Sequence, residues 1–143
     1  MPVLDLLDVN VWLALAHPGH THHEAAQKYW AASSGQLAFC RASMQGFMRL
    51  VTQPVVMGAA VHTCEEAWEI YTAHLSSRRV VFLPEPVSLE AQMRQYTMRP
   101  GFHVRDWTDA YLASFAITSG CRMVSFDNGF KQYEALDFLA LKA

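Results

Sequence analysis

The sequence predicts a three-layer α/β/α sandwich around a central, mainly parallel sheet of about four or five strands. Two observations favour this class: short apolar segments of strand length alternate with longer segments of helical spacing, and successive strands are separated by enough residues for a crossover helix. The 143 residues can bury a sizeable core. Because no linker divides the chain and no repeat is visible, we expect a single domain over residues 1–143.

Five segments are predicted as strands because they are short, apolar and bounded by turn residues. They are residues 3–8, 37–40, 79–83, 122–126 and 138–141. The β-branched pair Val80 and Val81 supports the third of them. The last segment is expected at an edge of the sheet.

Six segments are predicted as helices from their apolar spacing. They are residues 9–16, 22–32, 41–51, 64–75, 89–98 and 106–120, with one further helical turn at 130–133. Two of the helices are preceded by the Thr-x-x-Glu pattern of a capping box, Thr21 with Glu24 and Thr63 with Glu66. Residues 55–61 are expected to form a loop.

Composition and charge exclude several classes of function. No apolar run approaches the roughly 20 residues of a membrane span, and no basic segment precedes the first apolar run as in a secretory signal, so we expect no membrane partner and a cytoplasmic protein. The net charge of −2 argues against a nonspecific nucleic-acid coat. It is compatible with a nuclease whose acids approach phosphate through a metal ion. The three cysteines are too widely spaced for a zinc knuckle or a disulfide framework.

Three aspartates that are distant in sequence are predicted to converge at one edge of the sheet. Asp8 follows the first strand and Asp127 follows the fourth, and the ends of parallel strands lie together at the carboxyl edge. Asp109 lies in the first turn of the helix that leads into the fourth strand. Because such a helix runs antiparallel to the strands, its amino end lies at the same edge.

Carboxylates packed together without a counter-ion raise one another's pKa. A Mg²⁺ or Mn²⁺ ion would remove this repulsion, because hard cations take oxygen ligands and keep several waters. A bound water that loses a proton is a nucleophile for phosphodiester cleavage. We therefore predict Asp8, Asp109 and Asp127 as the catalytic ligands of a divalent-metal site.

Each of these aspartates also has a purely structural interpretation. Asp8 could cap the helix that begins at residue 9, Asp109 could be a first-turn acid favoured by the helix dipole, and Asp127 could belong to a turn. Asp106 lies three residues before Asp109 and is expected at the N-cap of its helix, with a supporting role at the metal as the alternative.

Four histidines, at positions 17, 20, 22 and 23, form a dense cluster after the first helix. Zinc prefers imidazole ligands, so a zinc site is conceivable here. The spacing matches no structural zinc motif, and a solvated loop is the expected interpretation.

Six motifs occur in a characteristic order along the chain. They are LDVNVWL at 7–13, FCR at 39–41, QGFMRL at 45–50, PVVMG at 54–58, TDAYLA at 108–113 and VSFDNGF at 124–130. With these motifs the chain resembles the PIN-domain nucleases, and most closely the VapC toxins of bacterial type II toxin–antitoxin pairs. The likeness covers almost the whole chain.

The resemblance implies a metal-dependent endoribonuclease toxin that cleaves particular structured RNAs such as tRNA or rRNA. It also implies a cognate antitoxin that neutralises the toxin, and a homodimer. By analogy the same three aspartates bind the metal. Asn10 and Ser125 fall at family positions that support the first and last acid by hydrogen bonding, and Asn128 is a candidate for the same role.

The sequence departs from the family pattern on the third helix. Many PIN domains carry a glutamate there, and the matching position here is Gln45, whose amide oxygen adds no negative charge. Arg41 and Arg49 are two helical turns apart on the same helix, one on each side of Gln45. They are predicted to bind RNA phosphates, with ordinary surface charge as the alternative. Trp107, beside the acids, could stack a base, although packing is expected.

Two functions of other classes stay open. A PIN-like chain with a weakened site could be a binding module for an antitoxin or an RNA. Alternatively, Asp8 could be the phosphoryl acceptor of a phosphotransfer fold. The haloacid-dehalogenase phosphatases need a second aspartate two residues later, and Asn10 at that position counts against this function.

Overall fold

The computed structural model describes residues 3–142. Its strands are β1 Leu4–Leu7, β2 Gln36–Phe39, β3 Val80–Phe82, β4 Arg122–Ser125 and β5 Phe138–Ala140. Its helices are α1 Val9–Ala16, α2 His23–Ala32, α3 Arg41–Val51, α4 Pro54–Met57, α5 Cys64–Ser76, α6 Leu89–Thr97 and α7 Trp107–Ser119. Short 3₁₀ turns cover Gly58–Ala60, Val104–Asp106 and Asn128–Gln132.

The five strands form one parallel sheet in the order β3-β2-β1-β4-β5. The chain runs from β1 to β2 and β3 on one side, and then returns to the other side of β1 with β4. The direction of winding therefore reverses between the carboxyl ends of β1 and β4, which is where open α/β sheets bind ligands. The predicted sandwich class and its parallel sheet are confirmed.

The strands alternate their side chains between two apolar layers, one on each face of the sheet. Leu7 belongs to the layer that contains Trp12 and Phe39, and Leu6 belongs to the layer that contains Phe115. All five side chains are fully buried. Trp12 of α1 stacks on Phe39 of β2 with ring centroids 3.8 Å apart. This contact holds α1, and with it the position of Asp8, against the centre of the sheet.

Two local predictions are wrong and one is confirmed. The helix α2 begins at His23, with His22 rather than Thr21 at the N-cap, and no side-chain bond caps it. Residues 54–57 form the helix α4 instead of a loop, because Pro54 occupies a favourable first position of a helix. The second capping box is formed: Thr63 N donates to Glu66 at 2.8 Å, and Glu66 N donates to Thr63 at 3.1 Å.

A buried ion pair joins the two central strands. Asp5 in β1 is 2% exposed, and its carboxylate accepts two bonds of 2.9 Å from Arg122, the first residue of β4. The Tyr29 hydroxyl of α2 donates a third bond, of 2.5 Å. A bidentate arginine with a further donor satisfies a buried carboxylate. Asp5 is therefore a structural acid, whose partner Arg122 lies 117 residues away in the sequence.

No helix among residues 3–142 combines the length and the apolar character that crossing a bilayer requires.

Candidate functional site

Asp8 stands at the carboxyl end of β1, where its carboxylate has two protein partners. Oδ1 accepts a 2.8 Å bond from the backbone N–H of Val9, and Oδ2 accepts a 2.8 Å bond from the hydroxyl of Ser125. The first bond caps α1, so the structural interpretation of Asp8 holds. The second bond ties the same carboxylate to the end of β4. Asp8 is thus a helix cap and also a member of a cluster between two strands.

Ser125 is the centre of that cluster. Its side chain is fully buried and donates to Asp8 while accepting from Asn10 Nδ2 at 3.1 Å and from the backbone N–H of Asp127 at 2.9 Å. One donated and two accepted bonds use the full capacity of a hydroxyl. Asn10 Oδ1 also accepts from the backbone N–H of Phe126 at 3.3 Å. Asn10 and Ser125 therefore link the first and last aspartates, as the resemblance implies.

The strand register explains why these residues meet. Leu7 of β1 lies opposite Val124 of β4, and the Asp8 N–H donates to the Val124 carbonyl at 2.9 Å. The next residue of each strand, Asp8 or Ser125, consequently lies at the same level of the sheet.

Asp109 completes the acidic cluster from the first turn of α7. Burial raises its pKa to about 6, and repulsion from Asp8, Asp127 and Asp106 adds to the shift. Burial also raises the pKa of Asp8, in part offset by the bonds from Ser125 and Val9, while Asp127 raises it further. The charged neighbours that act on both carboxyls are therefore other acids, and the ionised cluster is an unbalanced negative site.

The donor set of this cluster fits a hard divalent cation, which prefers oxygen ligands. As the side chains stand in residues 3–142, no three His, Cys, Asp or Glu groups are close enough to bind one ion directly. Mg²⁺ is commonly held by only one or two carboxylates and keeps several waters, so the remaining acids act through those waters. The cluster therefore suits a partly hydrated Mg²⁺ or Mn²⁺ ion rather than an ion whose ligands all come from the protein.

The other candidates lie at the margin of the cluster. Asp127 is exposed and accepts from the backbone N–H of Gly129 at 2.8 Å, so the turn interpretation also holds. Asp106 precedes α7 but makes no side-chain cap, and its carboxylate is 3.9 Å from Arg105 Nε. Asn128 is exposed, and within the described part of the chain no side-chain hydrogen bond supports its predicted role.

Gln45 lies on α3 and makes no hydrogen bond to the acidic cluster within the described residues. A Cβ on the adjacent Gly46 would lie 2.7 Å from Val9 Cγ2, so α3 packs closely on the first residue of α1. This close approach brings Gln45 near the end of α1 that Asp8 caps. Gln45 itself is exposed.

A groove of about 560 Å³ runs between α3 and α5 and includes both predicted RNA-binding arginines. Its lining residues are Arg41, Met44, Gln45, Met48, Arg49, Thr52, Cys64, Ala67 and Trp68. The Arg41 guanidinium lies over the Phe82 ring, 4.5 Å from its centroid, and Arg49 is exposed. The groove is thus lined by apolar side chains together with two cationic ones, and Gln45 is part of the same lining.

The histidine cluster differs from the expected solvated loop. All four histidines are partly buried, and the His22 ring stacks on Phe126 with centroids 4.3 Å apart and planes 11° apart. The cluster therefore packs against the residue that precedes Asp127. It forms no metal-ligand group within residues 3–142. Only the density of histidines in the sequence indicated that this segment is unusual.

Comparisons with known proteins agree with the fold. The PIN-domain profile matches residues 6–136. The chain is 41% identical over 142 residues to Ribonuclease VapC41 of Mycobacterium tuberculosis, which covers 95% of this chain and 97% of that protein. It is 33% identical over 125 residues to Ribonuclease VapC38 of the same organism, with 87% and 85% covered.

Solved structures share the architecture at lower identity. The crystal structure of Mycobacterium tuberculosis VapC20, described as a Sarcin-Ricin loop cleaving toxin, has a TM-score of 0.68 at 18% identity and covers 93% of this chain and 97% of that one. The VapBC2 structure from Rickettsia felis, bound to a promoter DNA fragment, has a TM-score of 0.70 at 13% identity, with 96% and 98% covered. The resemblance predicted from the motifs is confirmed: the chain belongs to the PIN-domain family and, within it, to the VapC-type ribonuclease toxins.

Proposed function

We propose that this chain is a Mg²⁺-dependent endoribonuclease, with Mn²⁺ as an alternative ion, and that Asp8, Asp109 and Asp127 are its metal ligands. The observation that carries the proposal is the unbalanced negative charge of three aspartates at the reversal point between β1 and β4. Clustered and partly buried carboxylates without a counter-charge cost stability, and a divalent cation offsets that cost.

The metal ion and the residues around it have different proposed roles in hydrolysis. A bound divalent ion supplies an activated water and stabilises the charge that develops on the scissile phosphate. The Ser125 hydroxyl orients the Asp8 carboxylate by donating a hydrogen bond to it. It also accepts a bond from the Asp127 N–H and so holds the backbone of Asp127 in position. Asn10 holds Ser125 in turn. This network holds the Asp8 carboxylate and the end of β4 in place, which is the preorganisation that electrostatic catalysis requires.

The proposed substrate is a structured RNA such as tRNA or rRNA. Support comes from Arg41 and Arg49, which line a groove together with Gln45, because guanidinium groups bind phosphate oxygens in bidentate fashion. The solved relative VapC20 is described as cleaving the Sarcin-Ricin loop. We further propose that a cognate antitoxin neutralises the chain, as the toxin–antitoxin complexes among the structural relatives suggest. A homodimer, a cytoplasmic location and one domain over residues 1–143 complete the proposal.

A catalytically weak binding module is the second candidate. Gln45 favours it, because an amide in place of the family's glutamate leaves three acids instead of four at the site. In this alternative the chain still holds an antitoxin or an RNA but does not cut.

The test compares the cleavage of total bacterial RNA by the natural chain with Mg²⁺, with EDTA, and after Asp8→Asn. Specific cuts with Mg²⁺ that disappear in the other two reactions are expected. Asp137→Asn is the matched control, because this exposed aspartate precedes β5 and so lies at the opposite edge of the sheet. Cleavage that survives EDTA or Asp8→Asn would refute the metal mechanism. Tight antitoxin binding without any cleavage would favour the binding module.

A further inference from the structure

The segment that carries Asp127 is held from one side by the polar network of Ser125 and Asn10. The Phe126 N–H donates to Asn10 Oδ1 at 3.3 Å, and the Asp127 N–H donates to Ser125 Oγ at 2.9 Å. Both bonds act on the backbone. The Phe126 side chain is partly buried at the margin of the apolar layer around Trp12. A contact that fixes this ring also fixes the direction in which the chain leaves β4 towards Asp127.

The imidazole of His22 supplies such a contact. Its ring lies flat on the Phe126 ring, with centroids 4.3 Å apart and planes 11° apart. Both residues are partly buried. Stacked aromatic rings attract each other beyond the effect of the area that they bury. The stack therefore opposes rotation and outward movement of Phe126, the residue directly before Asp127.

The backbone of His22 is itself fixed through both of its polar groups. Its N–H donates to His20 Nδ1 at 3.0 Å, and its carbonyl accepts from the N–H of Ala26, in the first turn of α2, at 2.9 Å. The next residue, His23, is tied to α1, because its Nδ1 donates to the Ala14 carbonyl at 2.7 Å. The ring of His22 is therefore mounted on a backbone that two helices hold in place.

Hydrogen bonding through Nδ1 does not account for the imidazole at position 22. This atom is shielded from solvent and has no hydrogen-bond partner within residues 3–142. A buried ring nitrogen without a partner is destabilising. The favourable contact that joins His22 to the site is the face of its ring, which a phenyl ring would supply equally well.

We infer that His22 is a positioning residue, whose ring holds Phe126 in place and so keeps Asp127 where it binds the metal ion. The inference rests on the proposed metal site and adds to it a residue from the loop between α1 and α2. His22 touches neither the ion nor the RNA in this role. Without the ring, Asp127 should spend more time away from the ion, and the affinity for the ion should fall.

The test measures Mg²⁺ binding in the absence of RNA. An ion that binds only the folded chain raises its Tm by an amount set by the ion concentration and the Kd. A series of Mg²⁺ concentrations, followed by circular dichroism, therefore gives a Kd for each variant relative to its own metal-free form. Mg²⁺ prefers oxygen ligands to imidazole, and at about pH 8 the histidines are neutral, so their own titration does not enter the comparison.

Four variants isolate the stack. His22→Ala should raise the Kd for Mg²⁺ by about two- to tenfold, because coupling through one contact cannot exceed the strength of an aromatic pair. His22→Phe keeps a flat ring and should stay within about twofold of the natural chain. Phe126→Leu breaks the same stack from the other side and should match His22→Ala, which provides a second variant if one of them fails to fold. His23→Ala is the matched control, because its imidazole bonds to Ala14 instead, and it should leave the Kd unchanged.

Two readouts separate positioning from general stabilisation. In an Asp127→Asn background, where Asp8 and Asp109 remain to bind the ion, His22→Ala should no longer change the Kd, because the acid that it positions is absent. In RNA cleavage, His22→Ala should raise the Mg²⁺ concentration for half-maximal rate by the same factor as the Kd and leave KM for RNA unchanged. A loss of folded protein alone would lower the rate without shifting this concentration.

The outcomes distinguish this inference from the function on which it rests. If Mg²⁺ raises the Tm of the natural chain and His22→Ala has the same Kd, the positioning role is refuted and the proposed metal site stands. An equal loss of affinity in the Asp127→Asn background also refutes it, because the ring then acts on another part of the site. If Mg²⁺ leaves the Tm of the natural chain unchanged and the chain cuts no RNA, the proposed function fails, and the positioning role fails with it.

Discussion

The hydroxyl of Ser125 gives the sharpest test of how the site is built. The change Ser125→Ala removes one bond donated to the Asp8 carboxylate and the acceptor for two N–H donors, those of Asn10 and Asp127. A hydrogen bond to a charged group contributes roughly 1.5–3 kcal/mol, and buried donors left unpaired cost about 1–3 kcal/mol each. Water reaches the partly exposed partners and recovers some of this loss. We expect a destabilisation of about 2–3 kcal/mol, or a fall in Tm of roughly 6–10 °C.

Ser114 is a matched control for this change. It is also fully buried, yet its hydroxyl has no hydrogen-bond partner within the described chain. Ser114→Ala removes an unsatisfied polar atom and improves helix propensity in α7, so the free energy of unfolding should rise by about 0.5 kcal/mol. Urea denaturation followed by circular dichroism gives both values on the same scale. If the two alanine variants differ by less than about 0.5 kcal/mol, the network around Ser125 does not stabilise the site as argued.

Three further outcomes are expected. Arg122→Met leaves the Asp5 carboxylate buried without its cation and should cost about 3–5 kcal/mol in urea denaturation, whereas Asp5→Leu combined with Arg122→Met should recover most of that loss. Burial lowers the pKa of His74, so protonation of this side chain opposes folding, and the free energy of unfolding should fall as the pH drops below about 6.5. His74→Leu should flatten that part of the stability–pH curve. An unchanged slope would show that His74 is not the group responsible. Gln45→Glu should lower the Mg²⁺ concentration for half-maximal cleavage by about tenfold, and no change in that concentration would show that α3 lies outside the metal's reach.

The sequence was sufficient for the convergence of the acids because that convergence depends only on topology. Asp8 and Asp127 follow parallel strands, and Asp109 lies in the first turn of the helix that leads into β4. Alternation of strands and helices is visible in the apolar spacing, and the carboxyl edge follows from it. No side-chain detail was needed for this step.

The contacts that make the cluster a site depend on register, which the sequence did not reveal. Ser125 reaches Asp8 only because Leu7 pairs with Val124, and a shift of one residue would point Ser125 to the other face of the sheet. The 50% exposure of Trp107 is likewise a tertiary property, since its apolar character alone predicts packing. In short segments one residue can also indicate two different structures. Proline interrupts a helix but is also favoured at the first position of one, and Pro54 begins α4 where a loop was predicted.

The amide at position 45 changes the electrostatic balance of the cluster in two opposing ways. Burial and mutual repulsion already raise the pKa of Asp109 to about 6, so the metal-free cluster is close to binding a proton at neutral pH. A fourth carboxylate on α3 would add repulsion and push that pKa higher. Gln45 avoids this further rise in the pKa of Asp109, but it also lacks the negative charge with which a glutamate would attract the ion. A chain of this composition should therefore be more stable without metal than one with glutamate, and should need more Mg²⁺ for the same cleavage.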